Sequence, residues 1–224
     1  SVIGPIVGTT NGDKAYFSNY HTVANGNSSG ITGTVFSKYT MSSNITASVD
    51  LDLGTTHPTP ITMSSNSLAT STTHCYSVGG WIAPNYSDLM SKMSYAAEGN
   101  ATDVGNLTVG SAANCHECTQ TTTYGYKFGG AVAGPPSSYD NNAVEKWSFA
   151  SDGDATGIGT LLVATAHTTA YSSTTHGYSA GGGYYNKTFT ISKLNYATEA
   201  AMTHVGDLTH NGGGGKRGAS AMQV

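Results

Sequence analysis

The sequence predicts an all-β protein built from four copies of one unit. Three observations predict this: the composition, the lack of helical periodicity, and a phrase that recurs along the chain. The 224 residues include 29 glycines and 14 tyrosines, whereas charged residues make up 10%. No segment sustains the i, i+3, i+4, i+7 spacing of apolar residues that an amphipathic helix needs. Short apolar runs bounded by Gly, Asn, Asp or Thr indicate strands instead.

The recurring phrase defines the unit. It reads "STTHCYSVGG" at 71–80, "TTTYGYKFGG" at 121–130 and "STTHGYSAGG" at 173–182. Its tyrosines are 50 and 52 residues apart, and a degenerate copy, "DKAYFSNY", places Tyr16 60 residues before Tyr76. A lysine follows each copy in register, and a leucine follows each lysine by fifteen residues. These residues are Lys38, Lys92, Lys146 and Lys193, and Leu53, Leu107, Leu161 and Leu208.

Each unit predicts four short strands. In each unit, with the last unit as the example, one strand passes through "THGYSAGG", one through "ISKLNYAT" and one around "HVGDLT", and a fourth lies in the Ser/Thr-rich stretch before the next phrase. Four strands per repeat of about 50 to 60 residues is typical of a propeller blade. We therefore expect a single all-β domain, 1–224, forming a β-propeller of four blades. The blades lie around 13–53, 71–107, 121–161 and 173–208.

The two ends of the chain predict how the ring closes. The C-terminal "KRGASAMQV" corresponds to the strand just before the phrase, and the N-terminus starts just ahead of the first copy. We expect residues 209–224 to complete the ring by pairing of N- and C-terminal strands, which leaves no unpaired sheet edge. The alternative is an open β-solenoid, whose terminal units would need caps.

Three strings carry a resemblance to a known family: "GNATDVGNLTVG" (99–110), "SSTTHGYSAGG" (172–182) and "ISKLNYATEAAMTHVGDLTHN" (191–211). They resemble the kelch-like repeats of virion proteins from tailed phages, especially marine cyanophages. The resemblance covers nearly the whole chain and is weakest over 1–70. It implies a propeller-like structural module of the virus particle, in a tail fibre, spike, baseplate or head decoration. It also implies a virion location, contacts with other virion proteins, and a homo-oligomer.

The first unit departs from this pattern. It has "FSNY" where the other units have Gly-Gly, and Cys75 in the second unit replaces the glycine found at Gly125 and Gly177. These departures predict a distorted first blade. Elsewhere the paired glycines suit strand ends where φ is positive or two backbones approach closely. His74, Tyr124 and His176 occupy one repeat position, which indicates a shared packing or hydrogen-bonding role rather than catalysis.

Charge and hydropathy exclude two classes of partner. The formal net charge is −4 and the single arginine is Arg217. Nucleic-acid binding needs a cluster of Lys and Arg to neutralise phosphates, so we expect no nucleic acid. No run of 18 apolar residues exists, and "SVIGPIVGTT" lacks the basic start and long apolar stretch of a signal peptide. We expect no membrane insertion.

The cysteines raise the question of a metal. "CHEC" at 115–118 could be a thiol pair, a disulfide, or half a metal site with His116 and His74. A structural zinc normally needs a second ligand pair at matched spacing, and there is one CxxC. We therefore expect buried or bridged cysteines, no metal and no cofactor.

Enzyme motifs are also missing. Neither GxSxG nor HExxH occurs. A glycosidase needs two carboxylates that converge across the scissile bond. Here the acids fall at equivalent turn positions of the repeat, as Glu98, Asp152 and Glu199 do. We expect no catalytic residues and a non-enzymatic function.

The best candidate for a binding site is the set of loops between each phrase and its lysine. Equivalent loops of a closed ring share one face, which repeat proteins commonly use for binding. Aromatic rings beside amides and hydroxyls suit a sugar. The aromatic residues predicted to bind ligand are Tyr20, Trp81, Tyr86, Tyr139, Tyr184 and Tyr185. Two hypotheses remain: an adhesion module that contacts host-envelope polysaccharide, or a structural subunit whose loops contact other virion proteins.

Overall fold

In the computed structural model the chain folds into antiparallel sheets, one for each unit of the sequence. The structure describes residues 7–10, 14–19, 35–40, 49–52, 63–64, 67–82, 85–97, 101–109, 111–112, 117–132, 139–183 and 187–209. Side chains are described for 67–80, 86–97, 101–109, 118–132, 140–183 and 187–209. The described part is all-β, as the sequence predicts, and contains no helix long and apolar enough to cross a membrane.

The first two sheets come from the N-terminal half. The first contains β1 (Val7–Thr10), β2 (Lys14–Asn19), β3 (Val35–Thr40) and β4 (Val49–Asp52), in that order. The second contains β5 (Met63–Ser64), β6 (Ser67–Thr70), β7 (His74–Ile82), β8 (Asn85–Ser94) and β9 (Thr102–Asn106). Its order is β7, β8, β9, and both β5 and β6 pair with the free side of β7.

The last two sheets repeat this arrangement. The third contains β10 (Ser111–Ala112), β11 (Glu117–Gln120), β12 (Tyr124–Val132), β13 (Tyr139–Ser148) and β14 (Thr156–Thr160). The fourth contains β15 (Thr169–Ser172), β16 (His176–Ala180), β17 (Thr190–Asn195) and β18 (Thr203–Asp207). The strands predicted at "THGYSAGG", "ISKLNYAT" and "HVGDLT" are confirmed as β16, β17 and β18, and β15 confirms the strand predicted in the Ser/Thr-rich stretch before that phrase.

Consecutive sheets meet along their first strands: β1 lies beside β6, β6 beside β11, and β11 beside β15. The hydrophobic core lies between the sheets. One cluster joins Tyr76, Val78 and Met90 of the second sheet to Trp147 and other residues of the third. The equivalent cluster joins Tyr126, Phe128, Val144 and Leu161 of the third sheet to Leu194 and Met202 of the fourth. The third sheet therefore packs against both of its neighbours, and β12 is buried on both faces from Gly125 to Val132.

The paired glycines form bulges. In the third sheet the register of β12 and β13 shifts between Phe128 and Gly130, where Gly129 has φ 64° and Gly130 φ 114°. The second sheet shifts in the same way between Val78 and Gly80. In the first sheet, where "FSNY" replaces the glycines, β2 and β3 pair without a shift. Glycine is needed because a positive φ strains residues with a Cβ.

One expectation about the ends of the chain lies outside the described residues. The place beside β2 is occupied by β1, from the N-terminal segment. The predicted closing strand within 209–224 falls after Thr209, the last residue that the structure describes. The second, third and fourth strands of every sheet fall within the ranges expected for the four blades.

Candidate functional site

Each sheet has two distinct ends. At the hairpin end, a loop joins the second strand to the third: 20–34, 83–84, 133–138 and 181–189. At the turn end lie the phrase turns and the turns that follow the third strand. Neighbouring sheets contact each other turn end to turn end and hairpin end to hairpin end. Tyr76 bonds to Phe149 at the turn end, and Gly130 bonds at the hairpin end to Thr165, in the segment that leads to the fourth sheet. The hairpin ends of the second, third and fourth sheets therefore lie on the same side.

The structure brings two of the predicted ligand-binding residues together. Trp81 and Tyr86 are directly opposite each other in the hairpin of β7 and β8, separated by the shortest of the four loops. Tyr86 is half-buried. Tyr139 starts β13 opposite Val132 at the hairpin end of the third sheet. Tyr20, Tyr184 and Tyr185 lie outside the described residues.

A connecting segment supports the hairpin end. Residues 161–168 run from β14 to β15 and contact glycines at the hairpin ends of the third and fourth sheets. The N–H of Gly130 donates to the carbonyl of Thr165 at 3.0 Å, and that of Gly183 donates to Ala166 at 2.7 Å. A Cβ at Gly182 would lie 2.5 Å from Thr165 Oγ1. The glycines thus allow the close backbone approach that the sequence predicts.

The phrase itself forms the turn between the first and second strands. The hydroxyl of Ser71 accepts hydrogen bonds from the N–H groups of Thr73 and His74, at 3.3 and 2.9 Å. Thr121 and Ser173 make the same turn in the next two sheets. Short hydroxyl side chains cap such turns because they reach the backbone two or three residues ahead.

The histidines of the phrase have local partners. The Nδ1 atom of His74 lies 2.7 Å from Thr73 Oγ1, and that of His176 lies 2.7 Å from Thr175 Oγ1. Burial, followed by the positive charge of Lys92, lowers the pKa of His74. Tyr124 takes this position in the third sheet, with Lys146 Nζ 3.9 Å from its ring centroid. The two histidines therefore share a contact with the preceding threonine, whereas Tyr124 packs against a lysine.

A repeated group of four side chains joins the second sheet to the third at the turn end. The ring of Tyr76 stacks on Phe149 with centroids 4.7 Å apart, and its hydroxyl donates to the Phe149 carbonyl. Directly opposite Tyr76 on β8 is Lys92, which forms an ion pair with Asp152. We call this arrangement of tyrosine, aromatic ring, lysine and acid the inter-sheet clasp.

The same clasp joins the third sheet to the fourth. Tyr126 stacks on Tyr196 with centroids 4.6 Å apart, and Lys146 lies 2.5 Å from Glu199 Oε1. The Tyr126 hydroxyl also donates to Glu199. Glu199 and Asp152 have φ of 47° and 51°, so both acids occupy tight left-handed turns. The sequence places the lysines and acids in register, but the pairing between neighbouring units was missed.

A buried ion pair in the third sheet was also missed. Lys127 Nζ lies 2.6 Å from Glu145 Oε2, and both side chains are fully buried. Glu145 Oε1 accepts from Thr108 N and Oγ1, at 2.6 and 2.5 Å, and from Val109 N at 3.3 Å. Burial alone would raise the pKa of Glu145, but Lys127 and these hydrogen bonds hold it below its ordinary value. The pair fixes the chain leaving β9 to the third sheet.

One signal could have found this pair. Lys127 and Glu145 are directly opposite on β12 and β13. The same positions hold serines in the second and fourth sheets, where Ser77 faces Ser91 and Ser179 faces Ser192. In the third unit a lysine and a glutamate, of opposite charge, replace these two serines. Their pairing can be inferred once the register of the two strands is known.

The cysteines and acids of the described part form no metal site. Cys75 and Cys118 are buried, and Cys115 and His116 lie outside the described residues. Burial raises the pKa of Cys75 to about 12, which disfavours the reactive thiolate. Among the described residues no three His, Cys, Asp or Glu side chains cluster so as to hold a metal ion. No protein-family model and no curated protein matches this chain.

Proposed function

We propose that this chain is a non-enzymatic structural protein of a tailed-phage virion, serving as a tail-fibre or spike-type module that contacts host-surface glycan. Its four sheets would be the blades of a β-propeller, closed by pairing of the N- and C-terminal strands. The observation that carries the proposal is the contrast between sheets and loops. The sheets repeat one strand order, whereas the hairpin loops contain from two residues (83–84) to fifteen (20–34).

The chemistry of the hairpin end supports a glycan. Trp81 and Tyr86 face each other at a hairpin tip, and Tyr139 starts the next hairpin. Aromatic side chains can cover the CH face of a sugar while neighbouring amides and hydroxyls bind its hydroxyl groups.

The described acids support a non-enzymatic function. Three carboxylates, those of Glu145, Asp152 and Glu199, are engaged in ion pairs with lysines within or between the sheets. A side chain used in this way stabilises the fold and is not available to converge with a second carboxylate across a scissile bond.

One observation favours a second candidate, a head-decoration, tail or baseplate subunit that binds other virion proteins. Leu162, in the segment that supports the hairpin end, is 49% exposed. An exposed apolar side chain beside aromatic loops also suits a protein partner.

The test is binding of the purified protein to intact cyanobacterial host cells and to their extracted surface polysaccharide. We expect saturable binding by the wild type and at least a tenfold loss in the double variant Trp81→Ala/Tyr86→Ala. The matched control is Tyr124→Ala, which removes an aromatic ring at the turn end and should leave binding unchanged. Thermal unfolding of each variant verifies that it is folded. Absence of binding by the folded wild type would support the structural subunit instead.

A further inference from the structure

A short segment of the third sheet covers the outer edge of β9. This segment, 153–155, has the sequence Gly-Asp-Ala, and its first and third N–H groups donate to the carbonyls of Val104 and Asn106 at 2.7 and 2.8 Å. The carboxylate of Asp154 accepts from the N–H of Asn106 at 2.9 Å. A Cβ on Gly105 would lie 2.4 Å from the backbone of the segment, so the two chains are in close contact. We call this arrangement the edge contact.

β14 presents the same edge without a covering segment. The pairing of β13 with β14 has the same register and the same bulge as that of β8 with β9. Ile158 and Thr160 of β14 therefore take the positions of the two residues that bind the segment in the edge contact. No backbone hydrogen bond joins either residue to a described residue outside the strand pairing of its sheet. The space around a Cβ on Gly159 is open, and four of the five residues of β14 are exposed.

The fourth sheet does not supply the missing segment. Residues 200–202 are the repeat equivalent of 153–155, but their sequence is Ala-Ala-Met. Alanine stands in place of the aspartate, so this segment has no carboxylate to accept from the N–H of Thr160. Met202 is buried at the position of Ala155, and its longer side chain leaves less room for two backbones to approach each other. The edge of β14 therefore keeps its bonding groups but has no segment beside it in the described part of the chain.

We propose that the outer edge of β14 binds an extended segment of a partner protein in which a glycine, an acidic residue and a small apolar residue follow one another. The edge contact gives the reason for each position. The glycine of 153–155 has φ of 108°, a conformation that strains residues with a Cβ. The acid accepts from the N–H of Thr160. The small third residue packs beside Ile158, as Ala155 packs in the cluster that includes Val104.

The residues of this edge favour a partner of that kind. Sheet edges usually carry charged residues that keep other strands away, whereas the sequence of β14 is Thr-Gly-Ile-Gly-Thr. In β18 the position of Thr160 is taken by Asp207, whose carboxylate would repel an incoming acid. A second copy of this chain offers no free segment, because Gly-Asp-Ala occurs once and is already bound to β9. The site therefore fits a different protein, and it is separate from the hairpin loops proposed to contact glycan.

The first experiment is an NMR titration of the isotope-labelled protein with a synthetic peptide. The peptide, Ala-Ser-Asp-Gly-Asp-Ala-Thr-Gly, copies residues 150–157 and has both ends blocked. We expect saturable shifts of amide signals centred on Thr160. Replacing the second aspartate of the peptide with alanine should weaken binding about tenfold, because one charge-assisted hydrogen bond is lost. Absence of shifts at β14, or equal affinity of the two peptides, would overturn the proposal.

The second experiment changes the protein at two matched positions. Gly159→Val places a side chain where the backbone of the peptide would lie, so it should abolish the shifts, and the open space in the free protein should let it fold. Gly157→Val also has open space but precedes the two bonding positions, so it should leave binding unchanged, as should Trp81→Ala/Tyr86→Ala. Thermal unfolding verifies that each variant is folded. Equal losses in the two valine variants would refute the site, and so would a wild-type dimer, measured by sedimentation and abolished by Gly159→Val, that excludes the peptide.

Discussion

Removal of one partner of the Lys127–Glu145 pair tests whether this buried pair holds the second and third sheets together. In Lys127→Met the carboxylate of Glu145 stays fully buried without its counter-ion. Breaking a buried pair in this way typically costs about 3 to 5 kcal/mol. Glu145 keeps three hydrogen-bond donors from Thr108 and Val109, so we expect the lower value, about 3 kcal/mol.

A double variant separates the charge from the packing. In Lys127→Met/Glu145→Gln both charges are gone, and the glutamine carbonyl can still accept from Thr108 N. We therefore expect a total cost of about 1 kcal/mol, less than that of Lys127→Met alone. The matched control is Ser179→Ala, at the position equivalent to Lys127 in the fourth sheet, which should change stability by less than about 1 kcal/mol.

The assay is urea unfolding at pH 7 of the wild type, these three variants and the single variant Glu145→Gln, with the midpoint compared at constant slope. A cost of about 3 kcal/mol should also lower the thermal midpoint by about 6 to 12 °C in a chain of this size. The reasoning fails if Lys127→Met costs less than about 1 kcal/mol, or if the double variant is as unstable as the sum of its two single variants.

Three further predictions follow from the repeat. Gly182→Ala should lower the free energy of unfolding in urea by more than about 2 kcal/mol, because φ is +115° and the new Cβ would lie 2.5 Å from Thr165 Oγ1. The control Gly159→Ala has open space around the new Cβ and should cost less than about 1 kcal/mol. Equal costs would contradict the close approach at Gly182. Gly125→Cys should destabilise the protein because a Cβ there would lie 2.2 Å from the Trp147 ring. The double variant Gly125→Cys/Trp147→Met has the same two residues as the equivalent Cys75–Met93 pair of the second sheet, so it should recover stability. Additive losses of stability would show that the two substitutions do not compensate each other. Burial, followed by the charge of Asp152, raises the pKa of Tyr76 from 10.0 to about 12. The folded protein therefore holds this proton more tightly than the unfolded chain, and about 2 to 3 kcal/mol of stability should be lost as pH rises from about 10 to 12. Tyr76→Phe should flatten this part of the pH–stability curve, and parallel curves for the two proteins would count against it.

The features predicted from the sequence are those that depend on local chemistry. A period of two and the turn residues predicted β15, β16, β17 and β18, because alternation and turn formation act within a few residues. The glycine pairs predicted a positive φ or a close backbone approach for the same reason, since both depend on the missing Cβ of one residue.

The features that were missed depend on how separate units meet. The sequence places Lys92 and Asp152 at repeat positions, but their pairing requires that the third sheet follow the second at one particular offset. The Lys127–Glu145 pair requires the register of β12 and β13. The predicted ligand-binding residues were chosen by loop position and residue type. That Trp81 and Tyr86 occupy paired positions depends on the register of β7 and β8.

The contacts that hold consecutive sheets together explain where this chain is free to vary. The residues of the phrase have structural roles, because the first hydroxyl forms the turn, the tyrosine stacks on the next sheet, and the glycines admit the connecting segment. The complete clasps lie at the turn end and use no residue of a hairpin loop. A change in loop length or composition at the hairpin end therefore leaves the clasps intact, whereas a change in the phrase disturbs both a turn and an interface. This separation would let a binding surface change while its frame stays constant, and it is the physical reason for the proposal that ligand contact lies at the hairpin end.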